Sequence, residues 1–199
     1  MISLWPAIDL MGGGAVRLLH GDPSRKTVFP ERPVDVAVRF AAEGADGIHV
    51  VDLDAAFGTG SNAAAVRDIV EASPVPVELG GGLRDREAVE AALRHGAARV
   101  VLGSLPFRAP EIFAGLLRDL GPRLVVALDC KEGRPTVHGW TEDAGAGSAE
   151  DVARRLADGG VSALLVTDVA RDGAMTGPNL DLLAAVRRVF AGEVLASGG

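Results

Sequence analysis

The sequence repeats itself about 117 positions along the chain, and this repeat limits the possible folds more than any other feature. In each copy a short apolar run is followed by an aspartate, and an asparagine and a pair of glycines come later at matching distances. Self-similarity over such a distance indicates a fold built from two related halves. The corresponding residues are Asp9 and Asp129, Asp52 and Asp168, Gly60 and Gly177, Asn62 and Asn179, and Gly81-Gly82 and Gly198-Gly199.

Short apolar runs alternate with segments of helical periodicity. The runs are continuously apolar, which is typical of parallel strands covered on both faces. The predicted strands are Leu4–Ile8, Ile48–Leu53, Val75–Leu79, Val100–Gly103, Leu124–Leu128, Ala163–Thr167 and Val194–Ala196. The predicted helices are Val34–Glu43, Ala63–Ala72, Asp85–His95, Pro110–Leu120, Ala149–Asp158 and Leu180–Phe190, with Asn62, Asp85 and Asn179 as N-caps and Gly96 as a C-terminal stop.

This alternation predicts an α/β fold, either a doubly wound open sheet or a closed barrel. The repeat favours the barrel, because two halves of four βα units make a (β/α)8 TIM barrel. No counterpart of the fourth strand follows Gly199, so we expect an incomplete barrel without strand 8 and its flanking helices. Residues 1–199 then form one domain, with halves of about residues 1–120 and 121–199. The alternative is a complete seven-stranded protein, whose outer strands would be exposed edges.

Charge and cysteine content argue against several classes of protein. With 20 basic and 27 acidic residues the net charge is −7, which gives no electrostatic basis for binding nucleic acid or an anionic membrane. Cys130 is the only cysteine, so no internal disulfide can form, and no apolar stretch reaches the ~20 residues of a membrane span. We expect a soluble cytoplasmic protein that has no nucleic-acid or membrane partner and is monomeric when complete.

Asp9 and Asp129 each follow a predicted apolar strand. The carboxyl ends of the strands form the catalytic face of a TIM barrel, and strands 1 and 5 lie on opposite sides of an eight-stranded ring. We therefore expect the two carboxylates to face each other and to act as acid and base if their surroundings separate their pKa values. The alternative is that each aspartate caps the next turn.

Glycine runs after strands of both halves predict two phosphate-binding loops. Glycine lets backbone N–H groups approach an anion closely, and the N-terminus of the following helix adds a favourable dipole. Two such loops suggest a long substrate with a phosphate at each end; tight turns are the alternative. The candidates are Gly80, Gly81, Gly82, Gly103 and Ser104 in the first half, and Ser197, Gly198 and Gly199 in the second.

Several single residues are further candidates for substrate contacts. Arg17 could pair with a phosphate and Trp140 could stack on a heterocycle, while Thr167 and Asp168 end the sixth strand. Gly12–Gly14 is interpreted as a structural turn and Asp143–Ser148 as a lid. The four histidines show no metal-ligand spacing with Cys130.

In their order and spacing, these motifs resemble the ProFAR isomerase family of histidine biosynthesis, and the resemblance runs from Ile2 to Gly199. The motifs that carry it are Pro6-Ala7-Ile8-Asp9-Leu10, Val51-Asp52-Leu53, Gly80-Gly81-Gly82-Leu83-Arg84, Gly103-Ser104, Leu128-Asp129, Gly139-Trp140, Thr167-Asp168, Arg171-Asp172-Gly173 and Ser197-Gly198-Gly199.

The resemblance implies an Amadori rearrangement of an aminoaldose to an aminoketose. The substrate would be a bisphosphate with two ribose phosphates and an aminoimidazole carboxamide. By similarity Asp129 is the general acid that helps to open the ribose ring, Asp9 takes the proton from the neighbouring carbon, and Thr167 forms a hydrogen bond near the reacting centre. Neither a metal nor an organic cofactor is implied. The resemblance adds Arg84, Asp172, Gly173 and Gly177 to the substrate-binding candidates.

Two related enzymes and one non-catalytic role are the alternatives. The cyclase subunit of imidazole glycerol phosphate synthase shares the half-barrel repeat and both aspartates. It has Cys-Leu-Asp where this chain has Ala7-Ile8-Asp9, and a lysine in place of Arg17. A dual-substrate isomerase that also rearranges phosphoribosylanthranilate is compatible with Arg17, Arg84, Trp140 and the loop 58–62. A phosphosugar-binding barrel without activity is the third alternative, because an incomplete barrel has one half-built phosphate loop. We expect weak or no turnover, and aggregation, from the 199-residue form.

Overall fold

Strands and helices alternate along the chain in the predicted α/β order. The computed structural model describes residues 2–131, 133–137, 142–143 and 147–199. The strands are β1 (Ala7–Met11), β2 (Gly14–Leu19), β3 (Asp22–Val28), β4 (Ile48–Asp52), β5 (Val77–Gly80), β6 (Arg99–Leu102), β7 (Leu124–Lys131), β8 (Arg134–Val137), β9 (Glu142–Asp143), β10 (Ala163–Asp168) and β11 (Glu193–Ser197). The helices are α1 (Pro33–Ala42), α2 (Leu53–Phe57), α3 (Ala63–Ala72), α4 (Arg86–Arg94), α5 (Leu105–Arg108), α6 (Pro110–Leu120), α7 (Ala149–Asp158) and α8 (Leu180–Val189), with a 3-10 turn at Gly121–Arg123.

The residues cluster by their contacts into two units, Met1–Arg17 with Lys26–Val100 and Leu18–Arg25 with Val101–Gly199. In the first unit the strand order is β5-β4-β1-β2, with β1 parallel to β4 and antiparallel to β2. In the second unit the order is β11-β10-β7-β8-β9, with β7 parallel to β10 and antiparallel to β8. The boundary between repeat halves near residue 120 stays a prediction.

The helices agree closely with the predicted ones because most have a clear apolar stripe and a defined start. Helices α3, α6 and α7 begin and end as predicted, α1 and α4 differ by one residue at each end, and α8 ends one residue earlier. Asp85 accepts the N–H of Ala88 at 2.8 Å and Asn179 accepts that of Leu182 at 3.1 Å, so both are N-caps. Asn62 occupies the N-cap position of α3, but its side chain makes no capping bond, which corrects the prediction. No helix in the described part of the chain is long and apolar enough to cross a membrane.

Strands β1 and β7 end three residues later than predicted, and each carries a candidate catalytic aspartate. Each strand continues beyond its apolar run because an antiparallel partner, β2 or β8, adds hydrogen bonds along it. The register opposes Asp9 to Val16 and Asp129 to Thr136, so both aspartates occupy the same place in their hairpins. Asp9 and Asp129 therefore lie within strands and not in the turns after them.

A carboxylate is fully buried in the first unit, at the amino ends of its strands. Glu78 on β5 has no exposed surface. His49 Nδ1 lies 2.7 Å from its Oε1, and Arg99 pairs with its other oxygen. The Arg99 guanidinium also stacks on Trp5, 4.2 Å from the ring centroid. A buried charge is tolerated only with such partners, so this cluster holds the amino ends of β4, β5 and β6 together.

Candidate active site

In the second unit the structure brings three candidate residues into one row. The register aligns Asp129 on β7 with Thr167 on β10, and Thr167 with Ser197 on β11. Residues aligned across parallel strands point to the same face of the sheet, and neighbouring strands are about 4.8 Å apart. Thr167 is buried, whereas Asp129 and Ser197 are partly exposed. A carboxylate and two hydroxyl groups therefore share one face near the carboxyl ends of these strands.

Asp9 is the ionisable member of the corresponding row in the first unit. It aligns with Val51 on β4, and Val51 aligns with Gly80 on β5. Arg17 on β2 pairs with Asp9, with 3.4 Å between Nη1 and Oδ2. The side chains of Asp9 and Arg17 are 14% and 40% exposed, so this pair lies at the border with solvent. Arg17 thus contacts a candidate catalytic residue directly.

Asp52 and Asp168 point to the other face of the sheet, because each is one position beyond the aligned row. Asp52 accepts the backbone N–H and the Nδ2 of Asn62, both at 2.7 Å. Asp168 accepts the Nδ2 of Asn179 at 2.7 Å and lies 3.8 Å from the Nε of Arg171. Each aspartate therefore braces the loop between its strand and a following helix, and a substrate-binding role for Asp168 stays a prediction.

The glycine turns after β5 and β11 pack against the neighbouring strand in the same way. Gly81 has a φ of +99°, and a Cβ there would lie 2.8 Å from the carbonyl carbon and 2.9 Å from the nitrogen of Asp52. Gly198 has a φ of +78°, and a Cβ there would lie 2.7 Å from the oxygen of Asp168. Only glycine fits such positions without strain. These contacts explain the glycines structurally, and phosphate binding at the two turns stays a prediction.

The loop after β10 contacts the turn between β2 and β3. Gly173 has a φ of +70°, and a Cβ there would lie 2.5 Å from the carbonyl oxygen of Leu18. The carbonyl of Asp172 accepts the N–H of His20 at 3.0 Å. Gly177, at a φ of +82°, has open space around it. Of these three candidates, Asp172 and Gly173 therefore hold a neighbouring loop through their backbone.

The other candidates are spread over several loops. The guanidinium of Arg84 donates to the carbonyl of Ala56 at 2.8 Å. Gly103 is exposed after β6, and Ser104 stands at the N-cap of α5 without a side-chain capping bond. Trp140 and part of the predicted lid lie outside the described residues, so their roles stay predictions.

Asp54 is a candidate that the sequence patterns did not indicate. Its Oδ2 accepts the N–H of Gly12 at 2.7 Å. This hydrogen bond is the main reason why the pKa of the Asp54 carboxyl lies below its ordinary value. The repeat contained a signal, because Ala170 stands at the corresponding position of the second half. An aspartate that is present at this position in only one repeat indicates a role that is specific to that half of the chain.

A cavity of about 250 Å³ in the first unit lies between α3 and α4. Its lining includes Asp52, Gly81 and Gly82 as well as alanines from both helices. Asp9 is not among the lining residues, so the cavity is separate from the candidate catalytic row. Among the described residues, no group of three His, Cys, Asp or Glu side chains is placed to hold a metal ion.

Cys130 is expected to be inert although it is next to Asp129. It is buried, and burial, followed by the charges of Asp129 and Asp168, raises the pKa of its thiol to about 12. Because the thiolate is the nucleophile, iodoacetamide at pH 8.5 should label the native protein at least about a hundredfold more slowly than the unfolded protein. Equal labelling rates in the presence and absence of guanidinium would contradict this environment.

The comparisons with known proteins agree on one family. The sequence matches the histidine biosynthesis protein family over residues 3–199. Curated relatives carry the name 1-(5-phosphoribosyl)-5-((5-phosphoribosylamino)methylideneamino) imidazole-4-carboxamide isomerase. The relative from Rhizorhabdus wittichii is 45% identical over 199 residues, which cover 100% of this chain and 82% of the relative. That from Deinococcus radiodurans is 44% identical over 195 residues (98% and 82%), and that from Thermus thermophilus is 45% identical over 199 residues (100% and 84%).

These matches confirm three predictions made from the sequence. They confirm the resemblance, the enzyme class (an isomerase of histidine biosynthesis) and the α/β fold class of the (β/α)8 barrel. The chain belongs to the histidine biosynthesis protein family.

Proposed function

We propose that the protein catalyses the Amadori rearrangement of ProFAR to PRFAR, with Asp129 as the general acid and Asp9 as the general base. Relatives at 44–45% identity are named as isomerases of an imidazole carboxamide that carries two phosphoribosyl groups. Active sites of (β/α)8 enzymes form at the carboxyl ends of the strands. Asp9 and Asp129 each lie near that end of a strand in their own unit.

The observation that carries this proposal is the row of Asp129, Thr167 and Ser197. In this row the acid aligns with the hydroxyl group of Thr167, and Thr167 aligns with Ser197, near the carboxyl ends of three parallel strands. Asp129 is partly exposed, so a ligand can reach it, while the neighbouring Thr167 is buried and fixed in place. A carboxyl group held next to a buried neighbour in this way is suited to act as an oriented proton donor.

The reaction requires only proton movements. Asp129 protonates the ribose ring oxygen as the bond between that oxygen and the anomeric carbon breaks, which leaves a protonated imine. Asp9 then removes the proton from the neighbouring carbon and forms an enol. The enol becomes the ketone when Asp9 returns its proton to the former anomeric carbon and the enol hydroxyl gives its proton to the Asp129 carboxylate. Both aspartates thereby return to their starting states, and neither an oxidant nor a reductant is needed. Arg17, whose Nη1 lies 3.4 Å from Asp9 Oδ2, can stabilise the negative charge of this carboxylate before and after the proton transfer.

Two glycine turns are proposed to bind the phosphates. One comprises Gly80, Gly81 and Gly82, together with Arg84 and with Gly103 and Ser104, which follow β6. The other comprises Ser197, Gly198 and Gly199, with Asp172, Gly173 and Gly177 from the loop after β10. Their support is the tight packing of Gly81 and Gly198 on strand ends, where the absence of a side chain allows a close approach to the backbone.

The test is an absorbance assay for ProFAR conversion by the purified natural protein, with phosphoribosylanthranilate assayed in parallel. The proposal expects turnover of ProFAR. Turnover of both compounds would identify the dual-substrate isomerase. Saturable ProFAR binding without turnover would reject the proposed catalysis in favour of the phosphosugar-binding alternative, and an ammonia-dependent product would indicate the cyclase.

A further inference from the structure

The turn between β1 and β2 is tied to the loop after β4. Gly12 and Gly13 both have positive φ, as a two-residue hairpin turn of type I′ requires. The N–H of Gly12 donates to Asp54 Oδ2 and the N–H of Gly13 donates to Asn62 Oδ1, both at 2.7 Å. Side chains from the segment between β4 and α3 therefore hold both amides of the turn.

Asn62 extends this connection towards the catalytic row. Its Nδ2 lies 3.2 Å from the carbonyl oxygen of Leu10, the residue after Asp9, and 3.0 Å from Asp54 Oδ2. The same nitrogen lies 2.7 Å from Asp52 Oδ1. Asn62 is buried, so these bonds are shielded from water. The hairpin that carries Asp9 and Arg17 is thus fixed at its turn and beside its aspartate.

The second unit uses the equivalent asparagine differently. Asn179 caps α8 by accepting the N–H of Leu182, whereas Asn62 makes no capping bond to α3. The first unit therefore gives up a stabilising helix cap and directs the amide oxygen to the turn at Gly13. In place of the helix cap, Asn62 makes its hydrogen bonds to the hairpin that carries Asp9.

We propose that Asp54 is a positioning residue, which holds the hairpin of β1 and β2 so that Asp9 and Arg17 keep their mutual geometry for proton transfer. This inference rests on the proposed function, in which Asp9 is the base. A small displacement of a reacting group costs a large factor in rate, because the reacting atoms must meet within a narrow range of distance and angle. Asp54 is partly exposed, so its replacement spares the core.

The experiment compares Asp54→Ala and Asp54→Asn with a matched control, Asp46→Ala. Asp46 Oδ2 also accepts one backbone N–H at 2.7 Å from a residue 42 positions away, Leu4, just as Asp54 does from Gly12. Asp46 precedes β4 and Asp54 follows it, so the two bonds lie at opposite ends of the same strand. We expect Asp54→Ala to lower kcat about tenfold with KM changed less than about twofold. Asp54→Asn retains an acceptor for Gly12 and should keep most of the rate, and Asp46→Ala should match the wild type.

A second readout does not depend on activity. Hydrogen exchange of the Gly12 and Gly13 amides should become about tenfold faster in Asp54→Ala and stay unchanged in Asp46→Ala, because only the first variant frees the turn. Unchanged exchange in Asp54→Ala would overturn the inference, and so would equal kcat values for Asp54→Ala and Asp46→Ala, or an Asn variant as slow as the Ala variant. A wild-type protein without turnover but with the expected exchange result would reject the proposed function and, with it, the role of Asp54 in positioning Asp9 for proton transfer. The attachment of the β1–β2 turn to Asp54 would still be established.

Discussion

Asp129→Asn and Asp9→Asn should each lower kcat by about a thousandfold, within the range that a positioned acid or base contributes. Asparagine has nearly the same shape as aspartate but can neither donate the proton that opens the ring nor accept the one from the neighbouring carbon. The row of Asp129, Thr167 and Ser197 is set by strand register, so it should survive the substitution. The measurement is kcat for ProFAR together with the affinity for the bisphosphate by calorimetry.

The affinity measurement separates a chemical defect from a structural one. Bisphosphate binding should change by less than about threefold, because the proposed phosphate turns are made from glycine backbone and not from these carboxylates. Asp35→Asn is a matched control, since Asp35 is exposed and pairs with Arg32 in the first turn of α1. Near-normal kcat in either catalytic variant would reject the acid and base assignment.

Gly81→Ala should lower the melting temperature by about 10 °C. The φ of +99° strains any residue with a side chain, and the new methyl group would collide with the backbone of Asp52, which cannot move like a flexible side chain. Together these effects should cost about 3–5 kcal/mol of unfolding free energy, which corresponds to about 2–4 °C for each kcal/mol in a protein of this size. Thermal unfolding followed by circular dichroism at one fixed protein concentration measures the change.

The variant Gly44→Ala separates the effect of backbone strain from the effect of the steric collision. Gly44 has the same φ of +99°, but nothing lies within 4 Å of a Cβ built there. This variant should lose only about 1–2 kcal/mol, or about 4 °C. If the two variants melted at the same temperature, the close approach of Gly81 to β4 would not exist in solution.

Local signals in the sequence were sufficient to predict the six longer helices and the parallel strands of the described residues, but not the short helices α2 and α5. Helix α4, for example, has a capping aspartate, a regular apolar stripe and a stop at Gly96, which all act within a few residues. The sequence also placed Asp129 and Thr167 near the ends of apolar runs, and the structure adds the register that aligns them. Periodicity and caps predict such features because their causes are local.

Features that depend on distant partners were not predictable in this way. Asn62 has the residue type and position of a helix cap, yet it binds the turn at Gly13, which is 49 positions away. Glu78 sits in an apolar run with no sign that His49 and Arg99 would pair with it. The extension of β1 to Met11 depends on hydrogen bonds from β2, which an apolar pattern does not record. In each case a long-range contact decides the conformation.

If residues 171–177 are randomised to alter substrate selectivity, many of the variants will be destabilised for a reason unrelated to substrate binding. Any side chain at position 173 would push against the carbonyl of Leu18, so the loop would lose its fit to the turn between β2 and β3. Diversity is better directed to Met175, whose surface is 89% exposed, with Asp172 and Gly173 left unchanged. Engineers would then explore new specificity without dislodging the neighbouring turn.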